Sequence, residues 1–155
     1  MIATATPEDI RYVIGRMRAD DLREVMSASG CTNDAQFLDA CLALHGPRFA
    51  AVYKGAPVAV CGVAFQPGNP IPALHAWLFG TNDIGKCGVE IMHLAKRIAK
   101  LMFLRGHQRI EAYSATFHKD AHGWLKGIGF REERIIEGYG SDGQDFIVFA
   151  MTKGD

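Results

Sequence analysis

The stretch of the chain that decides the fold is residues 73–105, ALHAWLFGTNDIGKCGVEIMHLAKRIAKLMFLR. Residues 73–79 are almost all apolar or aromatic, which is typical of a β-strand. Residues 80–88 carry three glycines and indicate a loop, and residues 89–105 then repeat apolar side chains at helical spacing until Gly106. A strand that leads through such a loop into a helix presents backbone N–H groups and a positive dipole end to an anion. We therefore expect this loop to bind a phosphate group.

The N-terminal third of the chain is predicted to be helical. Thr6, Pro7 and Asp9 have the types and the spacing of an N-cap, a first-turn proline and a capping box, so a helix is predicted to begin there. A second helix is predicted to end at Gly30, and its apolar face contains Leu22, Val25 and Met26. A third helix is predicted to begin after Asn33 and to end before Gly46, with its apolar side chains at Phe37, Leu38, Cys41 and Leu42.

Strand patterns dominate the remainder of the chain. Residues 49–53 and 58–65 flank a Lys-Gly turn and predict a β-hairpin, and the prolines of residues 67–72 indicate a loop. Residues 109–114 predict a strand, residues 117–126 a short helix, and residues 130–139 and 146–152 two further strands. No repeat or linker divides this pattern, so we predict a single mixed α/β domain over residues 1–155.

The composition narrows the functional classes. The chain has 17 basic and 17 acidic residues, so it lacks the broad positive field of non-specific nucleic-acid binding, and we expect no nucleic-acid partner. No apolar run approaches the ~20 residues of a membrane span, so no membrane association is expected. The four cysteines are widely spaced and form no CxxC pair, which predicts reduced thiols in a cytoplasm.

Residues 80–87, GTNDIGKC, also fit the nucleotide-binding P-loop pattern GxxxxGK[ST] at every fixed position except the last. Cys87 stands where a hydroxyl side chain would hold magnesium, and no later strand ends in an aspartate suited to the metal. A nucleotide-binding protein therefore remains an alternative prediction.

Residues 82–87, NDIGKC, resemble the acetyl-coenzyme A loop of the GNAT acyltransferases, [RQ]xxGx[GA], with Gly85 at the central glycine and departures at both ends. The order of predicted elements is also similar to that family over nearly the whole chain. Residues 124–130, WLKGIGF, resemble the late family signature in which a helix ends and Gly-Phe enters the next strand. The resemblance implies a GNAT-like acyl-CoA N-acyltransferase fold, with a mostly antiparallel mixed sheet flanked by helices.

The same resemblance implies acetyl-coenzyme A as cosubstrate and a small-molecule or protein amine as acceptor. In such proteins the strands equivalent to residues 73–79 and 109–114 splay apart and admit the pantetheine arm. Transferred onto this sequence, the cofactor-binding residues are Leu78, Phe79, Asn82, Asp83, Ile84, Gly85, Lys86, Cys87 and Gly88.

The usual general-acid tyrosine of the family falls on Leu125, which cannot donate a proton, and a frequent asparagine falls on His118. His118 and Tyr113 are the candidate substitutes, and Glu111 alternates with Tyr113 on a strand that is expected to border the cleft. His75 and Trp77 alternate in the same way on the other strand, where packing is the competing interpretation. His118 and His122 have metal-ligand spacing but no third ligand, so we expect a solvated helix face and no metal.

The N-terminal segments TPEDI (residues 6–10), MRADD (17–21) and REV (23–25) resemble the GNAT-like morphogenesis proteins of tailed phages. That resemblance implies a phage or prophage origin, phage structural proteins as partners and a location in the host cytoplasm or the virion. It also implies an alternative function, in which the fold serves assembly without catalysis.

Overall fold

The structure, a computed structural model, describes residues 1–65 and 73–155, so the loop predicted for residues 67–72 lies outside the described residues. The elements, in chain order, are β1 (Ile2–Thr4), α1 (Pro7–Ile14), α2 (Ala19–Ser29), α3 (Asp34–Leu42), β2 (Arg48–Tyr53), β3 (Ala56–Ala64), β4 (Leu74–Gly80), a 3-10 turn (Ile84–Cys87), α4 (Gly88–Leu104), β5 (Arg109–Ala115), α5 (Lys119–Ile128), β6 (Arg131–Ile136) and β7 (Phe146–Thr152).

The described strands form one sheet in the order β1-β2-β3-β4-β5-β7-β6. Neighbouring strands are antiparallel except for β4 and β5, which are parallel. The parallel pair is registered only at Leu74 with Ile110 and at His75 with Glu111, so the two strands separate beyond these residues. The predicted mixed, mostly antiparallel sheet is confirmed, and the separation of β4 and β5 leaves an opening in its middle.

Helices cover both faces of the sheet. Trp77 and Phe79 on β4 pack with the apolar side chains of α1 and α3, among them Ile10, Val13 and Phe37. The alternate β4 residues Leu74 and Ala76 pack with Ala99 and Met102 of α4. Because successive side chains of a strand point to opposite faces, α1 and α3 lie on one face and α4 on the other.

Several local predictions are confirmed by hydrogen bonds. The Asp9 backbone N–H donates to Thr6 Oγ1 at 3.1 Å and the Thr6 N–H donates to Asp9 Oδ2 at 2.9 Å, which completes the capping box of α1. Asn33 caps α3 by accepting from the Gln36 N–H at 2.9 Å. Gly30 ends α2 with a φ of 72°, in the left-handed region that glycine adopts without strain.

Other boundaries differ from the prediction. Strand β1 was not predicted, because three residues are too few to show an alternating pattern. Helix α5 continues past Gly127 and ends at Gly129, and β6 covers only Arg131–Ile136 of the predicted residues 130–139. On α2, Leu22 is 38% exposed whereas Asp21 is 3% exposed, so the predicted apolar face is wrong at this turn. Among the described helices, none combines the length and the apolar character needed to cross a bilayer.

Candidate active site

A cavity of about 740 Å³ lies where β4 and β5 separate. Its walls come from both faces of the sheet: Val25, Phe37 and Leu44 on the side of α2 and α3, and Ile91, Leu94 and Trp124 on the side of α4 and α5. This volume is typical of small-molecule sites, and the lining is mostly apolar with a few polar groups. The cavity therefore passes through the sheet, with part of its lining on each face.

Five of the nine predicted cofactor-binding residues line this cavity, namely Leu78, Phe79, Asn82, Ile84 and Gly85. The other four, Asp83, Lys86, Cys87 and Gly88, are not part of its lining. The predicted open loop is partly a 3-10 turn, in which the Ile84 N–H donates to the Thr81 carbonyl at 3.0 Å and the Lys86 N–H to the Asp83 carbonyl at 2.9 Å. The number of backbone donors that face a ligand is therefore smaller than the loop pattern predicts.

Two glycines of this segment have different roles. A side chain at Gly80 would place its Cβ 2.7 Å from Ile84 Cδ1 and 2.8 Å from the Val58 carbonyl oxygen, so Gly80 is required by packing. A Cβ at Gly85 would meet no described atom within 4 Å, and its φ is outside the left-handed region. Neither packing nor backbone strain explains why residue 85 is a glycine. Gly85 instead borders the free space of the cavity.

The position of Cys87 bears on the nucleotide-binding alternative. Its thiol is buried and lies 3.7 Å from the Val52 carbonyl oxygen, and burial raises the pKa of this thiol. A side chain directed into the core at this position cannot hold a magnesium ion next to a phosphate. The geometry of the loop therefore weighs against a functional P-loop.

A cluster of charged side chains stands at the open end of the separated strands, where Asp21 and His118 are buried and Arg18 and Glu24 are partly exposed. His118 Nε2 lies 3.2 Å from Asp21 Oδ1, His118 Nδ1 lies 2.8 Å from Glu24 Oε2, and Arg18 Nη2 donates to Asp21 Oδ1 at 2.7 Å. His118 and His122 are 4% and 6% exposed, so the expected solvated helix face is wrong. Because α2 supplies both carboxylates, the cluster fixes this helix across the gap between β4 and β5.

The charges of this cluster follow from their neighbours. Burial alone would lower the pKa of His118, but hydrogen bonds to Asp21 and Glu24 raise it to about 9, so the ring is an imidazolium at neutral pH. Burial likewise opposes ionisation of Asp21, yet the hydrogen bonds from His118 and Arg18 hold the pKa of its carboxyl below the usual range. Since both ring nitrogens of His118 are engaged, donating a proton to a ligand would require breaking one of these contacts.

Tyr113 and Glu111 meet on the other side of the cavity. The Tyr113 hydroxyl donates to Glu111 Oε2 at 2.9 Å, and Arg109 Nε donates to Glu111 Oε1 at 2.7 Å. Burial and the Glu111 contact raise the pKa of Tyr113 to about 12, so the phenol keeps its proton. The structure therefore brings Tyr113 and Glu111 together, with Tyr113 in the cavity wall and Glu111 behind it.

His75 lies beside Tyr113, with the two ring centres 5.0 Å apart, and it also lines the cavity. Burial lowers the pKa of His75, so its ring is neutral at pH 7. Leu125, at the position of the usual tyrosine, borders the cavity while packing against the α4 side of the core. The sequence indicated each of these residues separately but not their distances from one another.

Asp21, Glu24 and Arg18 were missed as site residues. The available signal was a pair of carboxylates three residues apart on a helix, where they share one face. On a chain with 17 acidic residues that signal is typical of a solvated surface, and their partner His118 lies more than 90 residues away.

The sequence matches no family model and no curated protein. Its structure is similar to a ribosomal-protein-alanine N-acetyltransferase from Brucella melitensis, with a TM-score of 0.70, 13% identity and coverage of 98% of this chain and 99% of that chain. An N-acetyltransferase from Staphylococcus aureus Mu50 has a TM-score of 0.71 at 11% identity, covering 98% of this chain and 97% of that one.

A GNAT-family acetyltransferase from Streptococcus pneumoniae has a TM-score of 0.67 at 11% identity, covering 99% of each chain. At sequence identities this low, the structural similarity establishes a shared fold. The chain therefore has the fold of the GNAT-family N-acetyltransferases over nearly its whole length, and the predicted fold class is confirmed.

Proposed function

We propose that this protein binds acetyl-coenzyme A in the cavity between β4 and β5 and transfers the acetyl group to an amine. The observation that carries the proposal is the separation of β4 and β5 after two paired residues, which leaves a through-going cavity bordered by Gly85. The fold of N-acetyltransferases supports the same reaction class.

The carrier is proposed to enter on the side of α4. Its phosphates lie against residues 82–88, where the N-terminal end of α4 and the exposed Lys86 provide positive potential. The pantetheine arm follows the cavity wall past Phe79 and Leu78, and the space next to Gly85 accommodates the carrier. The potential at the loop, the apolar strand wall and the cavity volume support binding of the carrier on this side.

The chemical step forms a bond between the amine nitrogen and the acetyl carbon and breaks the carbon–sulfur bond. The departing thiolate takes a proton from a donor in the cavity, and the deprotonated donor then takes up the proton that the amine releases; general acid catalysis of such a step contributes ~10² to 10⁴ in rate. Tyr113 is the proposed proton donor, because it keeps its proton and lines the cavity, and its O–H turns from Glu111 to the leaving sulfur in this step. Glu111 orients the Tyr113 hydroxyl, and His118 acts through its ion pairs with Asp21 and Glu24, which position α2.

Calorimetry with coenzyme A tests the binding step. We expect a dissociation constant below about 1 mM for the natural protein and a loss of at least tenfold for Gly85→Leu, because the new side chain fills space that the carrier needs. Gly123→Leu is the matched control, since a Cβ added at Gly123 on α5 would also meet no described atom within 4 Å, and Gly123 is not in the cavity lining. No affinity of the natural protein at millimolar coenzyme A would overturn the proposal.

A second candidate is a non-catalytic assembly module, as the phage resemblance implies, located in the host cytoplasm or the virion with phage structural proteins as partners. Two observations favour it: Leu125 replaces the usual proton donor, and both nitrogens of His118 are engaged in ion pairs. Acetyl transfer to a panel of primary amines, measured for the natural protein, Tyr113→Phe and Leu125→Tyr, separates the two candidates. Coenzyme A binding without transfer by any of the three would favour assembly.

A further inference from the structure

His75 lies at the point where β4 and β5 begin to separate. It forms the last registered pair of the two strands, with Glu111, and it lines the cavity. Its neighbours Leu74 and Ala76 pack towards α4, so the alternation of side chains along a strand places His75 on the opposite face of the sheet. His75 is therefore at the edge of the gap, on the face away from the carrier proposed to bind beside α4.

The side chains next to His75 form a small polar group on that face. The ring centres of His75 and Tyr113 are 5.0 Å apart. The Tyr113 hydroxyl donates to Glu111 Oε2 at 2.9 Å, so it points back along β5 towards the residue that is paired with His75. The charge of Glu111 is balanced by Arg109, whose Nε donates to Oε1 at 2.7 Å. His75 and the proposed proton donor Tyr113 therefore lie side by side.

Most other titratable groups of the cavity wall are poorly suited to accept a proton at neutral pH. Burial raises the pKa of the Cys41 and Cys61 thiols to about 12, so both thiols are already protonated. His118 is protonated as well, and the carboxylates of Asp21 and Glu24 are paired with it. A carboxylate in an ion pair holds a further proton weakly, so this cluster supplies no base.

Two further groups of the wall are also unsuitable. Burial raises the pKa of Tyr139, so this phenol keeps its proton. Asp120 lies in the first turn of α5, on the side of the sheet where the carrier is proposed to bind. Burial lowers the pKa of His75, by contrast, so its ring is neutral and one ring nitrogen can accept a proton. Of the described residues that line the cavity, His75 is therefore best suited to act as a base.

We propose that His75 is the general base of the acetyl transfer and takes the proton from the attacking amine. As the amine nitrogen bonds to the acetyl carbon, its proton passes to the unprotonated ring nitrogen of His75. The carbon–sulfur bond then breaks, and Tyr113 gives its proton to the thiolate. The His75 imidazolium returns its proton to the Tyr113 phenolate, so both side chains end in their starting states. This assignment rests on the transferase function proposed above and adds a base to it.

Steady-state kinetics of His75→Gln test the assignment, with the amine that the natural protein acetylates fastest in a panel of primary amines. We expect kcat to fall about 100-fold or more at pH 7, because a positioned base is lost. The dissociation constant of coenzyme A, measured by calorimetry, is expected to change by about twofold or less. His107→Gln is the matched control, since His107 is not in the cavity lining, and it is expected to keep the natural kcat.

Two further readouts separate a base from a residue that only supports the fold. At saturating amine, kcat of the natural protein is expected to fall about tenfold per pH unit below the pKa of His75, which is lowered from 6.5, because a protonated ring accepts no proton. This fall is expected to be absent in His75→Gln. Added imidazole is expected to raise kcat of His75→Ala about tenfold or more, and to leave Tyr113→Phe unchanged, because it replaces only the missing base.

An unchanged kcat in His75→Gln would overturn the assignment. A lower kcat that keeps the fall at acidic pH, with no gain from imidazole in His75→Ala, would also overturn it, since the residue would then only support the fold. Absence of transfer by the natural protein would overturn the transferase and this role together. Transfer that does not depend on His75 would remove the role of His75 alone.

Discussion

The two ends of the β4 and β5 pair are held together by different chemistry. At the closed end, Leu74 and His75 pair with Ile110 and Glu111 through the parallel ladder. At the open end, the Gly80 N–H donates to Asp21 at 2.8 Å and the Ala115 N–H donates to Glu24 at 3.0 Å. Both carboxylates come from α2, so a helix replaces the missing neighbouring strand as hydrogen-bond partner.

The difference between the two ends shows how a sheet can contain a gap while the backbone N–H groups beside the gap remain hydrogen-bonded. Buried N–H groups must be paired, and two carboxylates accept from them where the strands are too far apart to pair. The carboxylates are in turn balanced by Arg18 and His118. The closed end is therefore held by neutral hydrogen bonds. The stability of the open end depends instead on charged side chains, and hence on pH.

Removing one of these carboxylates is expected to have the largest effect on stability. Asp21→Ala leaves the Gly80 N–H without its acceptor and removes one partner each from Arg18 and His118, so we expect a loss of about 3 kcal/mol in the free energy of unfolding. Asp20→Ala, an exposed neighbour on the same helix, is expected to change it by about 0.5 kcal/mol or less. Urea unfolding of both variants measures the contrast, and equal effects would contradict a special role of the open end.

The pH dependence of stability sharpens the comparison. The pKa of His118 is raised from 6.5 to about 9 on folding, so its contribution is complete below pH 6.5 and is lost as the pH rises towards 9. Between pH 6.5 and 8.5 we expect the natural protein to lose about 2 kcal/mol of unfolding free energy, which is about 1 kcal/mol per pH unit.

His118→Asn is the control for this pH effect, because asparagine does not titrate and the slope over the same range is therefore expected to flatten. Urea unfolding at several pH values provides the measurement. A natural protein whose stability is constant from pH 6.5 to 8.5 would show that the ion pairs do not hold His118 protonated.

The smallest expected effect concerns two hydroxyl groups on adjacent residues of β5. Ser114 Oγ donates to Glu24 at 3.0 Å at the open end and is 1% exposed, whereas the Tyr113 hydroxyl donates to Glu111 at 2.9 Å and is more accessible. We expect Ser114→Ala to cost about 1.5 kcal/mol and Tyr113→Phe about 0.5 kcal/mol in thermal or urea unfolding, because water replaces the second bond more easily. The reverse order would place the greater dependence on side-chain hydrogen bonds at the closed end.

Much of the fold was predictable because its signals are local. The capping box at Thr6, the Asn33 cap and the apolar strand before Gly80 each depend on a few neighbouring residues, and each appears where the sequence places it. Strand β6 was predicted too long because Tyr139, which lies beyond its end, packs its ring on Phe146 of β7 without joining the ladder itself.

The candidate site was predictable only in part, because its main contacts join residues far apart in the chain. The loop and Gly85 were found from a short pattern, but the burial of His118 depends on Asp21 and Glu24 of a helix almost one hundred residues earlier. Helical periodicity assigns such carboxylates to solvent, since buried charges are rare without partners. Only the three-dimensional arrangement shows that the partners exist.

The gap between β4 and β5 also divides the chain by its order of synthesis. Strands β1 to β4 all precede α4, and β5 to β7 all follow it, so no described strand of one group is inserted into the other. The first group can complete its antiparallel ladders while β5 is still unmade, because each ladder joins segments already present. Joining the two groups then requires only two registered backbone pairs, together with the carboxylates of a helix made long before their partners. The contacts that join the two groups of strands are therefore also the contacts that enclose the cavity.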